Sequence, residues 1–438
     1  MQRSVPVALM FLVCSLFFSP GAALADTKAV LGFPTLGTGN LASDLYLYSC
    51  KTSSCASVTQ LADYGHITNV PRWPKGNGGP GGPAPQAWAF LTIPEQGYQY
   101  YQFWQQNPSN SSCWQSCILG INAQGELDNK NTTCLGTVTS GTPTHTNEVP
   151  EFSFGAAMFG NATCGTAPAK MSANNILPAR SLTFVNGTSA KTVCLQTDSS
   201  FNHPQCTGAG ANPITAQTPY TISSSDLTNG SNSGVGQVSG IQAKDNGDWI
   251  NTGRGVSANA QVYATNLEWT LWPQHTQSTM GPTTIDISLV NGFNVGATLT
   301  PDRDCVCSVA DKEGGTPHFV LYKAGTTMAA FPAPQTVFSN LCPQGSGAPI
   351  SGNGDSGCYS SCSKARYYQN ANQDQLCCSG AYNTAKTCTD PPTQPYVLNV
   401  DNYSTRVYSW AFNDWRGTFT CDPTASFTFT ITDIDEAL

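Results

Sequence analysis

Ile285-Asp286-Ile287-Ser288-Leu289-Val290-Asn291-Gly292-Phe293-Asn294 is the stretch on which the reading of this chain turns. Its first half, taken with Thr284, alternates apolar residues with Asp286 and Ser288, the period of two expected of a half-buried β-strand. Similar short runs lie at 181–185, 260–263, 318–322 and 426–431, separated by Gly, Pro and Asn. No long amphipathic helical pattern competes with them. The expected class is mainly β, an antiparallel sandwich or barrel whose loops are pinned by disulfides.

The composition narrows the setting. The chain has 438 residues, 18 of them Cys, 41 Gly and 29 Pro, with only 11% charged; charged residues ordinarily make up about 25%. In residues 1–25, Arg3 precedes an apolar run from Val5 to Phe18, and Ala23-Leu24-Ala25 supplies small residues for cleavage, the pattern of a secretory signal peptide. A mature chain starting near Asp26 retains about 410 residues, enough for two or three domains. Without Arg3, 18 basic residues face 27 acidic ones, a net charge near −9 with no Lys/Arg block, which argues against a nucleic-acid partner. No later stretch approaches the roughly 20 apolar residues of a membrane helix. The reading is therefore a secreted product, extracellular or associated with a cell wall.

Cysteine usage agrees with that setting. Cys14 leaves with the leader, and 17 remain in a compartment where thiols oxidise, so one is left over or pairs between chains. The five His (His66, His145, His203, His275 and His318) adjoin no Cys-x-x-Cys pair, and Cys305/Cys307 and Cys377/Cys378 lack zinc-ligand spacing, so no metal and no cofactor are expected. Six sequons, at Asn110, Asn131, Asn161, Asn186, Asn229 and Asn402, are candidate glycosylation sites. The stretch 76–85 is Gly- and Pro-rich but lacks the Gly-Lys-Ser/Thr ending of a phosphate loop and reads as a linker. A softer break between 165 and 180 divides a region 26–180 from 181–438.

From about Ser181 onward the chain resembles the thaumatin-like proteins (the osmotin/thaumatin family). The opening stretch carries the likeness, together with Asn266-Leu267-Glu268 before it, and Cys305-Val306-Cys307, Cys342, Cys358, Cys362, Cys377-Cys378 and Cys388 after it. Val407 to Asp414 and Thr418-Phe419-Thr420-Cys421 close the pattern. The resemblance implies a flattened, jelly-roll-like β-sandwich beside a disulfide-rich loop lobe, with a cleft between them. It also implies the bridges Cys305–Cys421, Cys342–Cys358, Cys362–Cys377 and Cys378–Cys388. Thr188 stands in the slot of the family's first Cys, and the last Cys is absent too. Ser404 occupies the slot that would pair with Cys307, which makes Cys307 the candidate odd thiol.

Family members that bind or hydrolyse β-1,3-glucan carry a cleft of one Arg and several carboxylates, and this chain matches it in part. Glu268 and Asp286 fill a Glu and an Asp position, Asn291 replaces a second Asp, Arg406 replaces a later one, and no Arg stands at the family's cleft Arg. Glycoside hydrolysis needs two carboxyl groups flanking the bond, one of them protonated. The first reading of the pair is that each is a solvated strand carboxylate or a loop-pinning acceptor, and a second is that they hydrogen-bond a ligand; if the chain is a glucanase, Glu268 is the expected proton donor and Asp286 the nucleophile or base. Asn291, Phe293, Arg406 and Trp415 are candidate ligand contacts, with Trp269, Trp272 and Trp410 as nearby rings that pack in a core or stack on sugar. The first functional reading is a polysaccharide-binding protein, for β-1,3-glucan, in defence or wall association. The alternatives are a weak endo-β-1,3-glucanase and a non-catalytic structural or interaction protein. No Gly-x-Ser-x-Gly supports a hydrolytic triad.

The region 26–180 is β-rich and of no recognised family. It holds Cys50, Cys55, Cys113, Cys117, Cys134 and Cys164, whose pairing the sequence leaves open, and an aromatic run from Trp88 to Trp104. That run is either a stacking platform for glycan or a strand pair packed on a sheet.

Overall fold

A computed structural model describes residues 27–33, 44–50, 52–55, 58–60, 66–68, 72–73, 86–93, 99–107, 110–122, 124–139, 146–154, 157–160, 163–165, 180–188, 192–197, 214–223, 238–245, 248–250, 265–270, 283–313, 315, 318–342, 358–422 and 425–433. The leader at 1–25, the linker at 76–85, the runs 166–179 and 260–263, Asn161, Asn229 and Trp272 lie outside the described residues.

The N-terminal region contributes β1 (Thr27–Phe33), β2 (Asp44–Cys50), β3 (Val58–Gln60), β4 (His66–Thr68), β5 (Arg72–Trp73), β6 (Gln86–Ile93), β7 (Gln99–Asn107), β8 (Asn110–Ile121), β9 (Val138–Thr139) and β10 (Glu151–Ser153). They form one sheet in the order β5-β6-β1-β10-β9 and a second in the order β3-β2-β7-β8, with β4 on β2. In β7, Tyr101 and Phe103 are 0% exposed while Gln102 and Trp104 are half-buried. Tyr101 and Phe103 of the aromatic run therefore pack inside, while Trp104 turns outward and the side chain of Trp88 lies outside the described residues. Disulfides Cys50–Cys55, Cys113–Cys164 and Cys117–Cys134 close this region.

The second half contributes β11 (Ser181–Asn186), β12 (Thr192–Thr197), β13 (Tyr220–Ser223), β14 (Val238–Asp245), β15 (Asp248–Ile250), β16 (Asn266–Thr270), β17 (Thr283–Ser288), β18 (Gly292–Phe293), β19 (Gly296–Pro301), β20 (Cys305–Val309), β21 (His318–Tyr322), β22 (Ala329–Phe331), β23 (Cys358–Tyr359), β24 (Phe419–Cys421) and β25 (Phe427–Thr432). Four short helices join them: α1 (Ser361–Tyr367), α2 (Gln373–Leu376), α3 (Pro395–Tyr403) and α4 (Asp414–Gly417). Two five-stranded sheets, β13-β11-β25-β19-β22 and β16-β17-β24-β20-β21, share a core. Leu182, Phe184, Phe427, Phe429 and Ile431 face it from one sheet and Ile285, Ile287 and Phe419 from the other, all 0% exposed. The Phe184 ring lies 5.2 Å from Trp269 of the opposite sheet and stacks at 5.5 Å on Phe429. β11 runs parallel to β25, so the first and last strands of this half close the sheet on each other.

Residues 342–421 carry the helices. Ser360 caps α1, its Oγ accepting from the Ser363 amide at 3.0 Å, and Pro395 opens α3, where a missing N–H costs nothing. The longest helix among the described residues, α3, has nine residues. Helices this short are marginal alone in water, and here disulfides and packing hold them. That explains why the periodicity of the sequence gave no sign of them.

Among the described residues, the bridges in this half are Cys307–Cys421, Cys342–Cys358, Cys362–Cys377 and Cys378–Cys388. The expected Cys305–Cys421 pair is thus corrected, and Cys305, not Cys307, is the buried cysteine outside a disulfide among the described residues. Strand register is the cause: Cys307 stands directly opposite Cys421 in the β20–β24 ladder, whereas Cys305 stands opposite Tyr322 of β21.

The two halves are continuous. The Val149 amide donates to Phe319 O and the Leu321 amide to Asn147 O, both at 2.9 Å, so residues 147–149 extend the edge of β21. Val306 and Phe319 join Phe152, Phe103 and Leu119 in the N-terminal core. At the start of the second half, Arg180 is 3% exposed; burial lowers its pKa to about 10, and the Asp422 charge opposes that fall. Asp422 in turn accepts from the Val306 amide at 2.9 Å.

Candidate functional site

Glu268 of β16 and Asp286 of β17 are direct cross-strand partners. Leu267 and Trp269 on one strand, and Ile285 and Ile287 on the other, turn into the shared core, so alternation sends both carboxyl groups to the opposite face of the sheet. Directly opposed residues in an antiparallel pair have Cβ atoms about 4.5–5.5 Å apart. The sequence placed both acids on strands, and register brings them together.

Their surroundings differ. Glu268 is half-buried, with Asn266 Nδ2 at 3.5 Å from its Oε1. Asp286 is 7% exposed, and its buried Oδ1 has no hydrogen-bond partner. Burial holds the Asp286 carboxyl well above the usual carboxylate range, and the negative charges of Glu268 and Asp414 push it the same way. Burial and like charge thus both favour the neutral form of the Asp286 carboxyl.

Two residues that sequence reasoning did not single out complete the cluster. The Tyr408 amide donates to Ile287 O at 2.9 Å and the Leu289 amide donates to Tyr408 O at 2.7 Å, so this segment runs along the end of β17. The chain then leaves, forms α4, and returns as β24, where Phe419 pairs with Ile285. Gly417 permits that excursion to close: a Cβ there would sit 2.5 Å from the Tyr408 amide nitrogen. The Tyr408 hydroxyl is 2.7 Å from Asp414 Oδ1 and 2.9 Å from Ala411 O. Its pKa is raised, by burial first and then by the Asp414 charge, so it stays a neutral donor. Asp414 falls in an Asn-Asp-Trp-Arg turn, and nothing local in that turn separates a site residue from a solvated one.

The other candidates scatter. Phe293 is 0% exposed, packed edge-on against Phe331 and Phe338 at 4.9 and 5.1 Å, so it is a core residue closed to ligand, correcting its assignment as a contact. Asn291 lies half-buried beyond β17, its carbonyl oxygen accepting from the Ser363 hydroxyl. Arg406 donates to Ala310 O at 3.2 Å and lies 3.8 Å from Asp311. Trp410 is 7% exposed, whereas Trp415 on α4 is half-buried beside Asp414. Asn110 and Asn402 are exposed. Asn186 is 3% exposed, its Oδ1 accepting from the Thr188 amide and hydroxyl, which leaves a glycan no path and removes it as a site. Asn131 spends its Nδ2 on Asp128 at 2.7 Å. The sulfurs of Cys305, Cys307 and Cys421 lie within 4.8 Å of one another, but two form a disulfide, leaving one thiol as a ligand.

With this geometry in view, the Thaumatin family model matches residues 246–433, a span that contains Glu268, Asp286, Tyr408 and Asp414. Those residues form a Thaumatin family domain. A Thaumatin-like protein 1 of Pyrus pyrifolia is 32% identical over 139 residues, 31% of this chain and 43% of the relative. A glucan endo-1,3-beta-glucosidase of Prunus avium is 32% identical over 146 residues, 33% of this chain and 47% of the relative. The chain thus spans less than half of the length of these relatives. A solved GH family 64 laminaripentaose-producing beta-1,3-glucanase from Paenibacillus barengoltzii aligns over 93% of this chain and 98% of its own, at 11% identity and a TM-score of 0.30, too low to carry an argument. Among the described residues, no helix is long and apolar enough to cross a membrane.

Proposed function

We propose that this protein is secreted, engages a cell-wall polysaccharide of the β-1,3-glucan type, and hydrolyses it at the Glu268–Asp286 pair. The thaumatin domain takes the family's flattened sandwich, its cleft lying over the outer face of β16 and β17. The observation that carries the reading is two directly opposed carboxyl groups, one of them buried and without a partner on Oδ1, where burial and like charge favour the neutral acid. A pair whose surroundings push its proton affinities apart is the arrangement glycoside hydrolysis requires. Asp286 is the proton donor to the leaving oxygen, and Glu268, the more accessible carboxyl, is the nucleophile or base. The name of the Prunus avium relative supports glucan as the substrate class.

The test is to incubate the purified protein with insoluble β-1,3-glucan and measure both its depletion from solution and the release of reducing ends. Glu268→Gln and Asp286→Asn are expected to stop release while sparing retention. An aryl glucoside with a good leaving group needs no acid, so it should be cleaved by Asp286→Asn and not by Glu268→Gln. Retention without release by wild type would reduce the site to binding, and release that survives both substitutions would move the chemistry elsewhere.

A further inference from the structure

The outer face of the sheet β16-β17-β24-β20-β21 is divided between two environments. Cys307, Val309, Phe419 and Cys421 turn inward to the shared core, so alternation turns Val306, Ser308 and Thr420 outward. At β20 and β21 the outer face is roofed by the N-terminal half, whose core takes in Val306 and Phe319 and packs on Leu321. At β16 and β17 the same face carries Glu268 and Asp286. Between the two, register places Thr284 directly opposite Thr420, and Thr420 directly opposite Ser308. Neighbouring strands lie about 4.7–4.9 Å apart, so the three residues form a row about 10 Å long. Thr284 stands two residues from Asp286 on the same face, about 7 Å along the strand.

We propose that Thr284, Thr420 and Ser308 form the floor on which a neutral glucan chain lies beside the bond being cut. The chain runs across the strands from the carboxyl pair toward the N-terminal half, which closes that end of the site. This rests on reading Glu268 and Asp286 as the reacting pair. Thr284 and Thr420 are half-buried and Ser308 is 4% exposed. Among the described residues, none of the three hydroxyls has a hydrogen-bond partner. The row therefore presents unengaged groups that can each donate or accept, which is what a chain of uncharged sugar rings needs at every unit. Asp286, 7% exposed and with no partner on Oδ1, marks the end of the row where the chain must be met by an acid. An anionic polysaccharide would find no cation in the row and would be repelled by Glu268.

The test is Thr284→Val with Thr420→Val, which removes two hydroxyls and keeps the branched shape suited to a strand. The probe is a soluble β-1,3-linked glucohexaose. KM for its hydrolysis is expected to rise about tenfold at unchanged kcat, the effect of losing two ordinary hydrogen bonds. Calorimetric titration in the Glu268→Gln background, which does not consume the sugar, should show the same loss of affinity. An aryl glucoside reaches only the carboxyl pair and should be cleaved as by wild type, whereas a general distortion of the sheet would slow it too. Thr284→Ser with Thr420→Ser keeps both hydroxyls and should leave KM near wild type. If wild type releases no sugar, the hydrolytic reading fails while the titration still decides this one. Equal hexaose affinity with and without the two valines overturns the proposal, as does equal damage to aryl glucoside cleavage, or no binding of the hexaose by any form. Should the double variant fail to fold, Ser308→Ala must weaken hexaose binding about threefold, and an unchanged affinity there overturns it equally.

Discussion

The paired sheets and the disulfide-rich stretch at 342–421 are stabilised by different means, although they belong to one domain. In the sheets, alternation delivers Phe184, Phe429 and Phe419 to a common interior, and burial of rings supplies the stability. Between Cys342 and Cys421 the helices are too short to bury a face of their own. Disulfides such as Cys362–Cys377 and Cys378–Cys388 restrict the unfolded chain instead. The site sits where the two meet: Glu268 and Asp286 come from the sheet, and Tyr408 and Asp414 from the stretch that the bridges hold in place. A sheet can fix register to within a residue, but it takes a separately anchored segment to close over one face and exclude water from Asp286.

That contrast can be broken from either side. Phe184→Ala should be the most damaging change, costing about 3–5 kcal/mol in denaturant unfolding, since it removes a ring touching both sheets. Replacing Cys362 and Cys377 together by Ser should cost about 2–4 kcal/mol and expose 358–388 to protease while the sheet signal in circular dichroism persists. Gly417→Ala should cost about 1–3 kcal/mol by pushing on the Tyr408 backbone, and should lower glucan hydrolysis more than glucan retention.

The pH dependence sharpens the comparison further. Asp286 titrates above its unfolded value near 3.8, so its contribution to stability is fully present below that pH and is lost as pH rises through the folded value. Thermal melts of wild type should therefore decline as pH rises above about 4 relative to Asp286→Asn, which lacks that slope. Parallel melting curves for the two proteins would contradict the raised titration. The smallest effect is expected for Cys305→Ser, within about 1 kcal/mol, because Cys305 carries no bridge. Peptide mapping of that variant should still recover Cys307–Cys421.

Much of the architecture was legible because it follows from a period of two. The runs at 181–185, 284–290, 318–322 and 426–431 coincide with β11, β17, β21 and β25 to within two residues at each end. Glu268 and Asp286 were legible as strand carboxylates for the same reason. Phe293 was misread because a turn sequence, Asn291-Gly292-Phe293, says nothing about which side of β18 meets the core. The choice between Cys305 and Cys307 is a matter of register, and both lie on one face of β20, so spacing along the chain cannot separate them.

By itself, then, the sequence determined a mainly β, disulfide-rich chain with two acids on strands, since alternation and turn residues act locally. The tertiary structure alone decided that the two acids face each other and that one of them, Asp286, is buried. Desolvation and like charge depend on what lies within a few ångströms of Asp286, and Asp414, well over a hundred residues away in the chain, reaches it only because Tyr408 and Gly417 bring the intervening excursion back against β17.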